Sequence, residues 1–208
     1  MKRILIAAFT VSAVAAVQAQ PVTFTDLGAI VSTTSVYSVP DRAVGVDLAG
    51  SAIRWFRFDI PFATSGSGFY LDIDVFATSA SGVPDTEIGV YNNVGGRIAD
   101  DDDDGHSLRS ALTFGNTTAR TMPADPFGFT NGLPHNGRDG NLGVGRYWLA
   151  MGQFNTTYGA TNWNVTSTGT GSGTVLMNFR TDGPVPEPAS ILALSAGAAA
   201  LLRRRRKA

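Results

Sequence analysis

The chain of 208 residues contains no cysteine, and residues 20–182 contain no lysine. Without cysteine no disulfide can stabilise the fold, so its stability has to come from packing or from bound metal. Residues 20–182 hold nine arginines against 16 acidic residues, a net charge of −7. Because nucleic-acid phosphates need a basic face, this balance argues against a nucleic-acid partner and favours cation binding.

Histidine is scarce as well, since His106 and His135 are the two in the chain. Neither stands in a zinc-binding His-x-x-x-His pattern or in a Gly-x-Ser-x-Gly nucleophile turn. His106 follows a run of aspartates, where it is either a turn residue or a metal ligand through its backbone carbonyl. His135 precedes the Asn136-Gly137 turn signal, where we expect it to be exposed. The sequence therefore predicts no catalytic residue, because a lone histidine without an arranged partner is weak support for catalysis.

The apolar segment near the C-terminus is too short for a permanent membrane anchor. Its 14 residues, 189–202, would reach about 21 Å as a helix, against a hydrocarbon core of roughly 30 Å. The segment follows Pro186-Glu187-Pro188 and precedes the basic run 203–207, which prefers the cytoplasmic side. We therefore predict that residues 183–208 form a sorting tail. Its short hydrophobic helix tethers the protein transiently to the inner membrane while the body stays outside.

The N-terminus also indicates export. Lys2 and Arg3 precede a mostly apolar stretch over 4–17, and small residues around Ala19 provide a cleavage site before Gln20. We predict a helical signal peptide over residues 1–19. An N-terminal membrane helix is the alternative, but the apolar stretch is short for a span and no stop-transfer pattern follows.

The Pro186-Glu187-Pro188 motif, the apolar segment and the arginine-rich end together resemble the PEP-CTERM signal. The resemblance implies that an exosortase recognises the tail and cuts it near Pro-Glu-Pro. It also implies an exported protein, displayed at the cell surface or released into the extracellular matrix and linked to exopolysaccharide or biofilm.

The body, residues 20–182, has the pattern of strands and turns. Apolar and polar side chains alternate over 56–60 and 71–75, which is typical of strands with one face in water. Further candidate strands, rich in β-branched and aromatic residues, are 87–91, 96–99, 145–152, 163–166 and 174–179. We predict a single all-β domain, an antiparallel β-sandwich of the jelly-roll or immunoglobulin-like kind.

Residues 114–146 differ from the rest of the body, because glycine, proline, asparagine and aspartate dominate there. We predict a long loop over this range. It is either a plain insertion on the rim or a binding loop, since long structured loops often carry sites.

The centre of the body carries a second resemblance. Residues 70–76, 85–92 and 95–99, the acidic run 100–105 and the strand 145–150 look like the bacterial pre-peptidase C-terminal domain. That family is a β-sandwich found in secreted enzymes and surface proteins. The similarity covers about residues 54–155 and is interrupted by the insertion between Leu112 and Gly145. It implies a module that forms the whole body here rather than an accessory to a catalytic domain.

The acidic run is the strongest chemical feature of the body. Asp100, Asp102 and Asp104, followed by Gly105, stand at positions 1, 3, 5 and 6 of a calcium-loop pattern. The twelfth position, where a bidentate glutamate belongs, is Ala111. The run is therefore either an imperfect calcium site or a solvated acidic turn that closes a hairpin.

Two further sets of residues could contact a ligand. Asp72 and Asp74 alternate with core residues on one strand, so both point to one face, about 7 Å apart. Such a pair could supply the acid and the base of a glycosidase, but acids on a wet strand face more often serve solvation. Trp148 is the candidate for stacking on a sugar, because either it or its neighbour Tyr147 has to face solvent or a second layer.

These observations favour an exported, non-enzymatic β-sandwich that binds polysaccharide or another surface protein. The alternative is a small secreted hydrolase whose site uses the acidic turn over 100–106 and the long loop. The two differ in that an enzyme needs a concave pocket with several converging polar groups.

Overall fold

The computed structural model describes residues 19–65 and 68–184, and within these residues it contains eleven strands and no helix. The strands are β1 (Thr25–Ala29), β2 (Arg42–Ala49), β3 (Arg54–Ile60), β4 (Tyr70–Ala77), β5 (Thr86–Asn92), β6 (Arg97–Asp101), β7 (Ala111–Gly115), β8 (Gly145–Gln153), β9 (Thr156–Tyr158), β10 (Val165–Ser167) and β11 (Ser172–Thr181). Nothing in the described ranges is a helix able to cross a membrane. The predicted signal helix, the Pro186-Glu187-Pro188 motif and the tail helix lie outside the described residues.

The main strands form two packed sheets. One has five strands in the order β1-β3-β8-β5-β6, and the other has four in the order β2-β11-β4-β7. Their pairings are antiparallel except that of β1 with β3, which is parallel. Strands β9 and β10 form a separate hairpin. This is the all-β sandwich that the alternating sequence pattern predicts.

The core lies between the two sheets because successive side chains of a strand point to opposite faces. The alternate apolar residues of β3, β4, β8 and β11 therefore meet in one layer. Phe58, Ile73, Leu149 and Phe179 belong to it, each 0% exposed. Burial of one such side chain contributes about 1.5–3 kcal/mol, so this layer supplies the packing that a chain without disulfides needs.

The predicted strands correspond to β3, β4, β5, β6, β8 and β11, with ends that differ by no more than two residues. The strand predicted over 163–166 is the turn and second arm of the β9–β10 hairpin. Strands β1, β2 and β7 are not predicted from the sequence. All three lie at sheet edges.

Between β7 and β8, residues 116–144 contain one isolated bridge, Arg120 with His135, and no strand. This is the segment predicted as a long loop over 114–146. It runs along the edge strand β7: the N–H of Asp139 donates to the carbonyl of Thr113 at 3.0 Å, and that of Gly115 donates to the carbonyl of Gly140 at 2.8 Å. The loop thus occupies a sheet edge that would otherwise be free to pair with another chain.

Candidate functional site

The outer face of the four-stranded sheet carries charged side chains that are sealed from solvent. Asp72 and Asp74 project from β4 to this face, and both are 0% exposed. The expectation that β4 has a wet face is therefore wrong. Two segments cover the face, residues 31–41 before β2 and the loop over 116–144. The group that meets beneath them, called the ionic network below, consists of Tyr37, Asp72, Asp74, Arg120, His135 and Arg180.

Asp72 attaches both covering segments to the sheet. Arg120 of the loop donates from Nε to Oδ2 at 2.8 Å and from Nη2 to Oδ1 at 2.9 Å, a bidentate pair. Tyr37 of the first segment donates from Oη to Oδ2 at 2.7 Å, and Thr113 of β7 donates to Oδ1 at 2.6 Å. Hydrogen bonds to a charged group are roughly twice as strong as neutral ones, so this carboxylate is the main anchor of the cover.

Asp74 is paired within the sheet, with β11. Arg180 donates from Nη1 to Oδ2, and Asn178 donates from Nδ2 to Oδ1 at 3.0 Å. Arg180 is itself 2% exposed. Burial raises the pKa of Asp74, while Arg180 and His135 act in the opposite direction. Two carboxylates thus face two guanidinium groups, and the network is balanced in charge when His135 is neutral.

His135 lies between the two carboxylates. Its Nδ1 contacts Tyr37 Oη and lies 3.6 Å from Asp72 Oδ2, and its Nε2 lies 3.8 Å from Asp74 Oδ2. The side chain is 0% exposed, so the expectation of an exposed turn residue is wrong. Burial lowers the pKa of His135 although both carboxylates act to raise it, so the ring is neutral near pH 7.

The backbone of the loop explains how His135 reaches the sheet. Arg120 and His135 exchange two backbone hydrogen bonds, of 2.8 and 2.9 Å. Gly137 follows with a φ of 70°, and its N–H donates to Thr113 Oγ1 at 2.9 Å. A Cβ on Gly137 would lie 2.3 Å from the carbonyl oxygen of Gly115, so glycine is required at this return. The Asn136-Gly137 turn signal therefore marks where the loop folds back onto the sheet.

The ionic network is not arranged as a catalytic site. A glycosidase needs two carboxyl groups on either side of a bound sugar, whereas Asp72 and Asp74 are both sealed and paired. Among the open clefts of the described surface, four have linings without Asp72, Asp74 or His135. The network instead fixes the loop and the segment 31–41 in place.

The acidic run forms the connection between β6 and β7, and so joins one sheet to the other. The predicted calcium ligands do not converge there. Asp100 forms an ion pair with Arg97 at 2.9 Å, and Asp104 forms one with Arg138 at 2.8 Å. Asp101 stabilises the turn, because its Oδ2 accepts the N–H of Ala111 at 2.7 Å and that of Asp104 at 3.2 Å.

Asp102 lies instead with Asp103 and with Asp85, which precedes β5. One carboxylate oxygen from each residue lies within 4.8 Å of the others. Calcium binds oxygen at about 2.3–2.6 Å, so these three oxygens could share one ion. Asp85 Oδ1 and Asp102 Oδ1 are also buried without a hydrogen-bond partner. Asp85 is absent from the local calcium-loop pattern because it comes from a different turn.

Electrostatics at this cluster favour a cation or a proton. Burial, followed by repulsion from Asp102 and Asp103, raises the pKa of Asp85 to about 6. Burial and repulsion from Asp102 also raise the pKa of Glu87, and burial raises that of Asp101 to about 7. The turn therefore concentrates negative charge that is costly to keep ionised.

Trp148 lies beneath a second layer on the outer face of the five-stranded sheet. It is 1% exposed, and Tyr147, which faces the core, is 7% exposed. The ring of Phe24 meets Trp148 edge-on with 4.9 Å between centres, and Tyr158 and Trp163 of the β9–β10 region pack in the same cluster. With its indole covered in this way, the predicted ligand-binding role of Trp148 does not fit its burial.

Comparison with known proteins identifies the tail. The PEP-CTERM protein-sorting motif matches residues 184–207. The motif indicates an exported protein that an exosortase sorts, in agreement with the predicted tail over 183–208. The match begins directly after Gly183, whose carbonyl accepts the N–H of Ser32 at 3.0 Å, so the motif starts where the described body ends.

No curated protein matches the chain. Among solved structures, the chain is similar to PliG from Aeromonas hydrophila, a periplasmic lysozyme inhibitor of g-type lysozyme. The identity is 8%, the alignment covers 76% of this chain and 97% of PliG, and the TM-score is 0.29. A similarity of this level carries no argument about function. The resemblance to the pre-peptidase C-terminal domain is not confirmed.

Proposed function

We propose that the body is a non-enzymatic binding or structural module at the cell surface or in the extracellular matrix, where it contacts exopolysaccharide or another surface protein. The observation that carries the proposal is the sealed ionic network. Asp72 and Asp74, the pair that could supply the acid and the base of a glycosidase, and His135 are all 0% exposed. Their hydrogen bonds and ion pairs hold the long loop on the four-stranded sheet.

Two clefts of the described surface suit binding better than catalysis. A groove of about 390 Å³ is lined by Phe24, Arg54 and Trp55 among others, and one of about 440 Å³ by Asp85, Gln153 and Phe154 among others. Their volumes lie within the usual range of roughly 300–1,000 Å³ for small-molecule sites. Both are open, and neither contains a histidine or an arranged nucleophile and base.

Catalysis and binding are distinguished by two measurements on the exported body. We expect binding on an array of bacterial polysaccharides and no release of reducing sugar from the glycans that bind. Turnover that disappears in Asp72→Asn, while the variant still folds, would contradict the proposal, because it would show that the network opens to a substrate. An Asp59→Asn variant, altered at an exposed ion pair with Arg146, is the matched control.

The destination of the protein is tested separately by intact mass. We propose that the tail tethers the precursor transiently to the inner membrane and that cleavage near Pro188 releases the body to the surface or matrix. Protein from the culture medium should then lack residues 203–208, whereas the envelope fraction should contain the longer precursor. A full-length tail in every fraction would overturn this part of the proposal.

Calcium is proposed as a ligand of the acidic turn, at Asp85, Asp102 and Asp103, a set that shares only Asp102 with the local pattern. The carboxylate geometry and the raised pKa of Asp85 support it. In the binding proposal, calcium would stiffen the β6–β7 connection between the two sheets.

A further inference from the structure

The C-terminal end of the body is held in place directly before the sorting tail. Asp182 Oδ1 accepts the N–H of Tyr70 at 2.8 Å, and the carbonyl of Gly183 accepts the N–H of Ser32 at 3.0 Å. Gly183 is buried, and a Cβ at this position would overlap the Phe62 ring. These contacts, called the latch below, fix the point at which the chain leaves the body.

The latch limits how far the body can move from the membrane. The predicted apolar segment of the tail begins at Ala189, six residues after Gly183. Six residues span at most about 20–22 Å when fully extended, and the headgroup layer takes up about 5–8 Å of this length. While the tail is in the bilayer, Gly183 therefore lies within about 17 Å of the membrane surface.

Gly183 lies at one end of the sandwich, called the latch pole below. The end of β3 and the start of β8 are at this pole, since Ile60 pairs with Gly145 and the Phe62 ring lies beside Gly183. Strand β11 has ten residues, which span about 30 Å, and its first residue, Ser172, lies toward the opposite pole. The opposite pole therefore cannot face the membrane, because the six residues after Gly183 are too short.

The two poles also differ in the side chains that they expose. Val144, which precedes β8, is 68% exposed, and Val94, in the turn between β5 and β6, is 77% exposed. The pairing of Asn92 with Tyr147 places this turn at the latch pole. The opposite pole carries the acidic cluster, which anionic lipids repel. Apolar side chains are stabilised at a membrane interface, so the latch pole suits a lipid surface better.

We propose that the latch pole is the surface of the body that rests on the lipid headgroups of the inner membrane before the tail is cut. This inference rests on the proposed membrane tether and adds which surface faces the lipid. The latch and the six residues after it keep the pole there, and Val94 and Val144 contact the interface. The groove lined by Asp85 and Phe154 lies at the opposite pole, so it stays open to a ligand while the precursor is tethered.

The test measures how close labelled side chains come to the lipid headgroups. Because the chain has no cysteine, one introduced cysteine places a fluorescent dye at a single position. The precursor 20–208 is inserted into vesicles of phosphatidylethanolamine and phosphatidylglycerol that contain a lipid with a paramagnetic quencher on its headgroup. We expect Val144→Cys and Val94→Cys to lose most of their fluorescence. Phe154→Cys, at an exposed position of the opposite pole, is the matched control and should keep most of it.

The role of the latch is tested by lengthening the tether. Eight glycine and serine residues inserted between Pro184 and Val185 give fourteen residues in place of six, with a typical span of about 20 Å and a maximum of about 50 Å. We expect quenching at position 144 to decrease about two-fold or more, because the longer tether lets the body leave the surface. The same insert between Ala80 and Ser81, both exposed in the connection from β4 to β5, should leave the quenching unchanged.

The contrary outcomes are distinct. Quenching at position 154 equal to or stronger than that at position 144 would overturn the inference, while leaving the tether intact. Quenching at position 144 only in vesicles that also contain the exosortase would overturn it as well, because the pole would then contact the enzyme and not the lipid. Quenching at position 144 that survives the longer tether would overturn the role of the latch. If the precursor did not float with the vesicles, the proposed tether itself would be wrong.

Discussion

Each sheet of the sandwich carries a second layer on its outer face, and the two layers are built from different chemistry. The five-stranded sheet is covered by aromatic side chains, in which Trp148 and Tyr91 of the sheet meet Tyr158 and Trp163 of the β9–β10 region. The four-stranded sheet is covered by the ionic network. Beneath both covers the sheet residues are buried, and both covers leave buried polar atoms without a hydrogen-bond partner among the described residues, such as Trp148 Nε1 on one side and Arg180 Nε on the other.

The difference between the covers lies in what holds each in position. An aromatic cover is stabilised mainly by buried area, which is not directional. Here two tyrosine hydroxyls add direction: Tyr91 donates to the carbonyl of Gly159 at 3.0 Å and Tyr158 to that of Glu87 at 2.5 Å. The ionic cover depends on geometry throughout, because Arg120 and Tyr37 must both reach Asp72. Burial of apolar surface is enough to hold a short aromatic hairpin in position, whereas a loop with few apolar side chains needs directional hydrogen bonds and ion pairs.

The largest effect is expected from Arg180→Met in the ionic cover. The variant leaves Asp74 buried with no cation beside it, and breaking a buried pair in this way costs about 3–5 kcal/mol. Urea denaturation at pH 7.5 measures the loss. The double variant Asp74→Leu/Arg180→Met should recover most of it, because it removes both charges together. If the single variant were as stable as wild type, the ionic cover would not be a structural device.

A smaller effect is expected from Gly89→Ala in the aromatic cover. A Cβ at this position would lie 2.3 Å from the Tyr158 ring, so the β9–β10 hairpin would have to shift, at a cost of about 1–3 kcal/mol. Gly45→Ala in β2 is the matched control, since no atom lies within 4 Å of the place that its new methyl group would take. Equal stability of the two variants would show that the hairpin yields freely and that the aromatic cover is loosely held.

The sequence predicts the sandwich well and its covers poorly. Alternation over 56–60 and 71–75 identifies β3 and β4 and their core faces, because period two is a local property. It does not show what lies over the other face. Tyr37 and Arg120 reach Asp72 from 35 and 48 residues away, and no local pattern links them. The alternation of Asp72 and Asp74 with apolar residues therefore predicts a solvent-exposed face, whereas in the structure the covering segments bury this face.

For the same reason, local spacing does not show which carboxylates of the acidic turn converge. The spacing of Asp100, Asp102 and Asp104 fits a loop that supplies all its own ligands. In the structure Asp100 and Asp104 form ion pairs with Arg97 and Arg138. The carboxylate oxygens that do converge include one from Asp85. The sorting tail is different, since its motif and apolar run are contiguous and can be recognised without a fold.

The two covers should also differ in their response to acid. His135 is neutral in the folded protein because burial lowers its pKa. When unfolded it binds a proton below about pH 6.5, so the unfolded state gains protons there and His135 reduces stability as pH falls through that value. Asp74, whose folded pKa is raised, acts in the opposite direction at lower pH. Comparison of wild type with His135→Gln from pH 8 to pH 5 isolates the histidine.

We expect the stability difference, wild type minus His135→Gln, to decrease as the pH falls through 6.5. Gly89→Ala, which alters the aromatic cover, should keep the pH profile of wild type. A His135→Gln profile parallel to that of wild type would mean that the ring is protonated to the same extent in the folded and unfolded states, and would contradict a neutral buried histidine.

The smallest effect is expected where the two sheets connect, at the acidic turn. At about 2 mM calcium and a dissociation constant of about 1 mM, typical of weak extracellular sites, binding would stabilise the body by about 0.6 kcal/mol. This corresponds to about 1–3 °C in melting temperature. Asp85→Asn should abolish the shift, whereas Asp100→Asn should retain it, because Asp100 is paired with Arg97 outside the cluster. If Asp100→Asn abolished the shift and Asp85→Asn retained it, the ion would bind the local loop pattern instead. If calcium did not shift the melting temperature of wild type, the turn would be a solvated connection without a calcium site.

The same calcium effect should depend on pH. Because Asp85 has a raised pKa of about 6, its contribution to stability grows as pH falls and is lost as pH rises through 6. Calcium should therefore stabilise the body more at pH 7.5 than at pH 5, since a proton and the ion compete for the same oxygen. A calcium shift of equal size at both values would place the ion on carboxylates other than that of Asp85.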